Sequence, residues 1–317
     1  MLTHEPVVQI HLSRFCNLKC LHCYSSSGPA EREALSVEDV LRTTAELSRA
    51  GYLRAALSGG EPVLAPGFHD LAAGLTSQGF RVGVITNGTR PAPLLEVMAA
   101  GDVQHASISF DGPENLHDTI RSRSGAFRRA IRTLERLAER NLSRGVVLSA
   151  TRQSLPHLPD LVDLLVAAGA QHVQLHPIAA AGRARTEEQI VGPELAPEAM
   201  LRLLAMGRVL QVLHADVQIQ VDVLLAGARL RPKLCEGDLV SPLVIVDDGA
   251  ILPYCFDISR SYTLGHVTDP NLDIRPNPEL CALVDRAAAR LSSGRATNLY
   301  RYIVELSSTP HLSHAEH

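Results

Sequence analysis

The chain has 317 residues, of which 45% are hydrophobic and 20% charged, and its formal net charge is −4. This length can bury a full core, as one large domain or as a domain with an appendage. The net charge gives no overall attraction to nucleic acid, and no apolar run reaches the roughly 18 residues that predict a membrane span. The N-terminus has no secretory pattern, so we expect a cytoplasmic protein whose six cysteines serve metal or redox chemistry rather than disulfides.

Short β-rich runs alternate with longer helical patterns over the first half of the chain. Six strands are predicted, at Val7–Leu12, Arg54–Leu57, Arg81–Thr86, His105–Ser109, Val146–Ala150 and His172–His176. The helices between them begin at Ser36 or cover Phe68–Ser77, Pro93–Ala100, Ala126–Arg140 and Leu158–Ala168. Such alternation is typical of βαβ units and a parallel sheet. Six strands are too few for an eight-fold barrel, so we predict an α/β fold, a partial (β/α)6 barrel.

The pattern changes after Gly182. The later predicted elements are two helices, Ala196–Leu213 and Pro278–Leu291, a β-like stretch, Val217–Val223, and a hairpin of Leu243–Val246 with Ile251–Tyr254. The turn Asp247-Asp248-Gly249 joins the two hairpin strands. We therefore predict a barrel domain over residues 1–220, a small second domain over 221–306 and a flexible tail over 307–317.

Three cysteines follow the first strand, in Cys16-Asn-Leu-Lys-Cys20-Leu-His-Cys23. Each thiolate can hold one iron of a four-iron cluster, which leaves the fourth iron open to a ligand with an amine and a carboxylate. A zinc knuckle or a thiol–disulfide pair at Cys20 and Cys23 is the alternative. Zinc would need a fourth ligand at short spacing, and His22 stands between two of the cysteines.

A glycine-rich turn, Leu57-Ser-Gly59-Gly60-Glu61-Pro62, follows the second strand. Two glycines allow the backbone to approach a ligand closely, and the carboxylate after them can take an ammonium group. An ordinary glycine-rich βα turn is the alternative. Ligands bind at the carboxyl ends of strands in parallel βα folds, and both motifs lie there.

Polar residues also follow the later strands. Asn87 precedes a glycine at the end of the third strand, where the pair could equally form a simple turn. Ser109 ends the fourth strand, and Arg121 beyond it could clamp a carboxylate, although Arg123 is equally close in sequence. Gly182-Arg183-Ala184 comes after the sixth strand.

Together these segments, spread over residues 7–185, resemble the radical S-adenosylmethionine (SAM) superfamily. The resemblance implies an enzyme in which Cys16, Cys20 and Cys23 hold a [4Fe–4S] cluster. It also implies that SAM binds at the open iron and is reductively cleaved to a 5′-deoxyadenosyl radical that abstracts hydrogen from a substrate. The residues that this resemblance assigns to SAM are Tyr24, Gly59, Gly60, Glu61, Asn87, Ser109 and Arg121.

The C-terminal part is similar to the SPASM/twitch subgroup, which carries auxiliary iron–sulfur clusters. Cys235 precedes the hairpin glycine Gly249, and Cys255 follows it. No cysteine-dense run comes afterwards, which excludes a full two-cluster SPASM domain. The resemblance implies a twitch-like auxiliary iron–sulfur domain with one cluster held by Cys235, Cys255 and Cys281. Cys281 could instead be a buried apolar cysteine, and Cys255 could be a free thiol that donates hydrogen to a substrate radical.

The resemblance also bears on substrates and partners. We expect a ribosomally made peptide as substrate, modified by epimerisation, crosslinking or oxidation, and an external electron donor such as flavodoxin or ferredoxin. One alternative is a radical SAM dehydrogenase or epimerase that acts on an aminocyclitol or sugar. The alternative from a different functional class is a non-catalytic iron–sulfur scaffold or sensor. The lack of a leader-recognition domain before the first strand slightly favours a compact substrate or recognition by a separate protein.

Overall fold

The structure, a computed structural model, describes residues 5–186, 194–222, 239–270, 272, 274, 275, 277–292, 304, 307 and 308. The strands in this part of the chain are β1 (Val7–His11), β2 (Arg54–Ser58), β3 (Arg81–Thr86), β4 (His105–Phe110), β5 (Arg144–Ala150), β6 (His172–Pro177), β7 (Gln218–Val221), β8 (Leu243–Ile245), β9 (Ala250–Pro253) and β10 (Gly265–His266). The helices are α1 (Val37–Ala50), α2 (Phe68–Ser77), α3 (Pro91–Ala100), α4 (Glu114–Ile120), α5 (Ala126–Glu139), α6 (Leu158–Ala167), α7 (Pro197–Leu213) and α8 (Pro278–Ser292). No helix among these residues is both long enough and apolar enough to cross a membrane.

All ten strands belong to one sheet, in the order β10-β9-β8-β1-β2-β3-β4-β5-β6-β7. Strands β1 to β7 lie side by side in chain order, and each pairs in parallel with the next. The expected α/β fold is confirmed, and the six predicted strands are present within two residues of their predicted limits. Strand β7 continues the parallel series beyond the predicted six.

The first helix illustrates why these segments fold locally as they do. Ser36 caps α1, since its hydroxyl oxygen accepts a hydrogen bond from the Asp39 N–H at 3.3 Å. Gly51 ends the helix with φ of 109°, a conformation that favours glycine. Between these caps, Val40 and Leu47 are fully buried against the sheet and its neighbours.

The described helices that connect the parallel strands lie on one face of the sheet. Parallel strands in chain order with right-handed crossovers place all their connecting helices on the same side. Strand β6 shows the alternation: Val173 and Leu175 are buried in the core, whereas Gln174 and His176 are half-buried on the opposite face. We call this second face the inner face of the partial barrel. Near the amino ends of β2, β3 and β4 it borders a cavity of about 400 Å³.

The C-terminal hairpin extends the barrel sheet. Strand β8 pairs in parallel with β1, with Val8 opposite Leu243, and β9 pairs antiparallel with β8. The predicted hairpin is thus present and lies directly beside the first strand. The division into two domains stays a prediction. In the proposed tail, Ser307 is buried and its hydroxyl accepts a hydrogen bond from the Ser259 N–H, while residues 309–317 lie outside the described residues.

Candidate functional site

The three cysteines lie in the loop between β1 and α1, which we call the cysteine loop (residues 12–28). Cys16 and Cys20 are buried and Cys23 is half-buried, and the three pack with Leu18 in a small cluster of their own. All three are free thiols. Among the described residues, no three His, Cys, Asp or Glu side chains are arranged around a single metal ion. The thiolates of a four-iron cluster bind three different irons, so they need not converge on one point.

The thiol chemistry of this loop suits a metal cluster. Burial raises the pKa of Cys16 to about 12 and that of Cys20 to about 11. Without metal both thiols therefore keep their protons at neutral pH, and iron would have to displace them. The Leu18 N–H lies 3.4 Å from the Cys16 sulfur, and the Asn87 side-chain amide donates to the same atom at 3.8 Å. Such donors stabilise a thiolate ligand, so the residues present fit an iron–sulfur cluster.

A buried carboxylate stands beside the cysteine loop. Glu61 is 1% exposed, and its two oxygens accept hydrogen bonds from the Thr86 hydroxyl at 2.6 Å and from the Asn87 N–H at 2.8 Å. Burial raises the pKa of Glu61 to about 7, although these hydrogen bonds act in the opposite direction. A carboxylate held here in a dry environment would gain strongly from a cationic partner. The site therefore suits the ammonium group that the sequence predicts.

The two glycines before Glu61 bring this turn against the cysteine loop. Gly59 has φ of +109°, and a Cβ on Gly60 would lie 2.1 Å from the carbonyl oxygen of Phe15. The Gly60 N–H donates to the Ser13 carbonyl at 2.9 Å, and the Glu61 N–H donates to the Phe15 carbonyl at 2.8 Å. In the described structure, these glycines allow two backbone segments to approach each other closely. The sequence analysis instead predicted that they allow the backbone to approach a ligand.

The family comparison agrees with this geometry. The family model of the Radical SAM superfamily matches residues 10–165. This segment contains the cysteine loop and the Gly-Gly-Glu turn. The chain carries a radical SAM domain. This domain implies a [4Fe–4S] cluster and SAM as cofactors, and it confirms the expected superfamily.

Two relatives each match about half of the chain. The sporulation killing factor maturation protein SkfB of Bacillus subtilis is 33% identical over 165 residues, which cover 51% of this chain and 40% of SkfB. The Fe-coproporphyrin III synthase of Methanosarcina barkeri is 30% identical over 181 residues, covering 56% of this chain and 45% of the synthase. The matched part of this chain thus spans less than half the length of either relative.

A solved structure supports the fold over a longer range. Streptococcus suis SuiB bound to SAM superposes with a TM-score of 0.72 at 17% sequence identity, over 88% of this chain and 67% of SuiB. At this identity the similarity establishes the fold. The similarity of fold to SuiB therefore extends beyond residues 10–165.

A second buried carboxylate anchors the cysteine loop of the radical SAM domain from the other side. Asp111 follows β4, and Arg121 donates to both of its oxygens, one of the two bonds measuring 3.0 Å. The His22 Nε2 atom lies 2.6 Å from the same carboxylate. Burial raises the pKa of Asp111, but Arg121 and His22 act more strongly and hold it well below its usual range. The sequence did not assign a role to Asp111 or His22, which together connect the loop to the end of β4.

The remaining residues assigned to SAM lie around these groups. Arg121 is buried, whereas Arg123 is exposed, so burial distinguishes the two arginines that sequence spacing could not. Ser109 is half-buried on the inner face near the carboxyl end of β4. The Asn87 side chain donates to the Asn17 side-chain oxygen at 3.0 Å, so it contacts the cysteine loop directly. These SAM contacts stay predictions.

Tyr24 contacts the C-terminal part of the chain. Its hydroxyl is 3.2 Å from His11 Nε2 and 3.4 Å from the Ser58 hydroxyl. The rings of His11 and Phe256 stack with centroids 5.2 Å apart, and Tyr24 packs edge-on against Phe256. Burial raises the pKa of the Tyr24 phenol. The residue after Cys255 therefore contacts the residue after Cys23.

The three C-terminal cysteines differ in state. Cys255 is a half-buried free thiol whose pKa burial raises to about 12. Cys281 lies on α8 and is disulfide-bonded, which differs from the expectation that no cysteine forms a disulfide, and a role as an iron ligand would require its reduced form. Cys235 lies outside the described residues. The assignment of these three residues to a second cluster stays a prediction.

Proposed function

We propose that this chain reductively cleaves SAM and uses the resulting radical to abstract hydrogen from a ribosomally made peptide. The observation that carries the proposal is the joint placement of Cys16, Cys20 and Cys23 beside the buried carboxylate of Glu61, at the carboxyl end of a parallel sheet. When bound, the cluster and SAM supply an electron and a 5′-deoxyadenosyl radical. A non-catalytic scaffold would have no use for the ammonium-binding carboxylate.

The residues of the chain would bind and orient SAM and keep water out. Glu61 would accept hydrogen bonds from the SAM ammonium. The buried Arg121 would bind the carboxylate of SAM through the one guanidinium nitrogen that does not donate to Asp111. Ser109 would contact the ribose from the inner face of the barrel. The stacked rings of His11 and Phe256 would close the site near Tyr24, since a primary radical reacts with most groups that it meets.

The relatives support a peptide substrate. SkfB is named as the maturation protein of a sporulation killing factor, and SuiB has been solved bound to the precursor peptide SuiA. The modification would be an epimerisation, a crosslink or an oxidation. The Fe-coproporphyrin III synthase of Methanosarcina supports a second candidate, a small-molecule substrate; an aminocyclitol or sugar belongs to the same alternative.

We further propose a second, auxiliary cluster held by Cys235, Cys255 and Cys281, of the kind found in the SPASM/twitch subgroup. The free and half-buried state of Cys255, near the barrel site, supports this. Electrons would come from an external donor such as flavodoxin or ferredoxin.

A SAM-cleavage assay with candidate substrates tests the peptide proposal. Protein reconstituted anaerobically with iron and sulfide, then reduced, should form 5′-deoxyadenosine at a low basal rate. Short peptides encoded beside the gene should raise that rate and be modified. An oxidation or a crosslink would remove two hydrogens from the peptide, whereas epimerisation would leave the mass unchanged in ordinary water and add deuterium in deuterated water. Stimulation by a sugar or a porphyrin instead of any peptide would contradict the peptide substrate and leave the radical chemistry intact.

A further inference from the structure

A hydrogen-bonded pair of titratable side chains, His176 and Asp222, stands on the inner face and has no role so far. His176 is near the carboxyl end of β6, and Asp222 follows β7, where its N–H continues the strand pairing by donating to the Leu175 carbonyl at 2.9 Å. Leu175 and Val221 point the other way, since both lie close to Gly207 of α7. The pair is therefore on the side of the sheet that faces away from the helices.

The geometry of the pair orients the imidazole. His176 Nδ1 lies 2.9 Å from the Asp222 carboxylate. Gln174 and Gln220 donate to the same carboxylate at 2.6 Å and 3.0 Å. Burial raises the pKa of Asp222, but these hydrogen bonds and the charge of His176 outweigh it and hold the pKa below its usual value. An ionised carboxylate only accepts hydrogen bonds, so Nδ1 carries a proton toward Asp222, and Nε2, on the other side of the ring, is the nitrogen that can accept one.

The imidazole is accessible, and its strand leads into the segment that contacts the cysteine loop. The His176 side chain is 44% exposed, and that of Asp222 only 20%. Ser149, its neighbour in the β5–β6 register, is half-buried on the same inner face. The segment after β6 leads straight to Arg183, whose guanidinium donates to the Cys20 carbonyl. The segment that follows the strand of His176 thus contacts the cysteine loop.

We propose that Nε2 of His176 is the proton acceptor for the substrate inside the barrel, with Asp222 as its positioning residue. The substrate would be a group with an N–H or O–H next to the carbon that loses hydrogen, as in an amino-acid residue. In this step the substrate N–H or O–H bond breaks and its electron pair stays on the substrate. A new N–H bond forms at Nε2, and the resulting imidazolium pairs with the Asp222 carboxylate. The inference rests on the proposed function, since that function supplies the substrate.

The first test needs neither cluster nor substrate. In the metal-free protein labelled with ¹⁵N-histidine, NMR at neutral pH should show His176 as the tautomer with a proton on Nδ1 and none on Nε2. Asp222→Asn should shift the tautomer toward Nε2–H, while Gln218→Ala on the same strand should leave it unchanged. A His176 ring with its proton on Nε2 in the wild type, or one that Asp222→Asn does not affect, would overturn the proposal.

The second test uses the reconstituted enzyme and the peptide that stimulates SAM cleavage in the assay above. His176→Gln should lower the kcat for product by about 100-fold, with the KM for the peptide and the basal formation of 5′-deoxyadenosine unchanged. His172→Gln, four residues earlier on the same face, is the matched control and should keep full activity. Unchanged product formation in His176→Gln would overturn the inference, whereas absence of SAM cleavage in the wild type would instead overturn the proposed function.

Discussion

Arg183 donates a hydrogen bond from Nε to the carbonyl oxygen of Cys20 at 2.8 Å, across 163 residues of sequence. A second nitrogen of the same guanidinium donates to the Ser27 carbonyl at 2.8 Å, and the Arg183 N–H donates to the Cys23 carbonyl at 3.0 Å. A Cβ on Gly182 would lie 2.4 Å from that Cys23 oxygen. The segment after β6 therefore contacts the cysteine loop at Cys20 and at Cys23.

Replacing the arginine should loosen the loop. Arg183→Gln removes two charged donors from buried carbonyls, and we expect the metal-free protein to lose about 1–3 kcal/mol of unfolding free energy. Reconstituted protein should lose iron to a chelator several times faster than the wild type. Arg185→Gln is the control, because Arg185 contacts only the local Ala180 carbonyl among the hydrogen bonds described. Equal iron loss in the two variants would show that Arg183 does not stabilise the loop.

The glycine turn offers a steric test. Gly60→Ala places a Cβ 2.1 Å from the Phe15 carbonyl oxygen, a backbone atom that cannot move without shifting the cysteine loop. We expect a loss of about 3 kcal/mol in thermal or denaturant unfolding, and weaker SAM binding. Gly28→Ala in the same loop is the control, since a Cβ on Gly28 would meet nothing within 4 Å. A fully stable Gly60→Ala protein would contradict the described packing of the two segments.

His11 should make the protein sensitive to acid. It is fully buried, and burial lowers its pKa from 6.5 to about 3. Below pH 6.5 the unfolded chain binds this proton and the folded chain does not, so stability falls as the pH drops. The loss amounts to about 2 kcal/mol at pH 5.

His11→Phe keeps a ring against Phe256 and removes the titrating group. The difference in unfolding free energy between pH 7 and pH 5 should shrink by that amount in the variant, as measured by urea denaturation of the metal-free protein. An identical pH dependence in the two proteins would contradict the buried neutral state of His11.

Iron content tests the auxiliary cluster. If Cys235, Cys255 and Cys281 hold a second cluster, reconstituted wild-type protein should contain about eight irons, and Cys255→Ala should contain closer to four. SAM cleavage should survive this change while product formation fails. A wild-type count near four would favour Cys255 as a hydrogen donor and would shift the proposed reaction toward epimerisation.

The sequence predicted the barrel well because its signals are local. The alternation of short β-rich runs with helical patterns located β1 to β6, and Ser36 marked the start of α1. Helix α4 has only seven residues, too few for a periodic pattern, and was not predicted. The pairing of β8 with β1 joins segments more than 230 residues apart, which no local pattern can reveal.

The sequence predicted those parts of the site whose residues form short, contiguous motifs. The three cysteines and Glu61 stand in short runs of fixed spacing, and the structure brings them together. The bond from Arg183 to Cys20 and the carboxylate of Asp222 at His176 depend on which strands become neighbours. Such contacts follow from tertiary structure, so single residues in distant loops gave no signal for them.

The central claim is that Cys16, Cys20 and Cys23 support SAM cleavage. Its most direct measurement is 5′-deoxyadenosine formation by anaerobically reconstituted and reduced protein, in the wild type and in a variant with all three cysteines changed to Ala. Cys255→Ala serves as the control for general loss of a thiol. We predict cleavage in the wild type and in Cys255→Ala and none in the triple variant. Undiminished cleavage without the three cysteines would contradict the account.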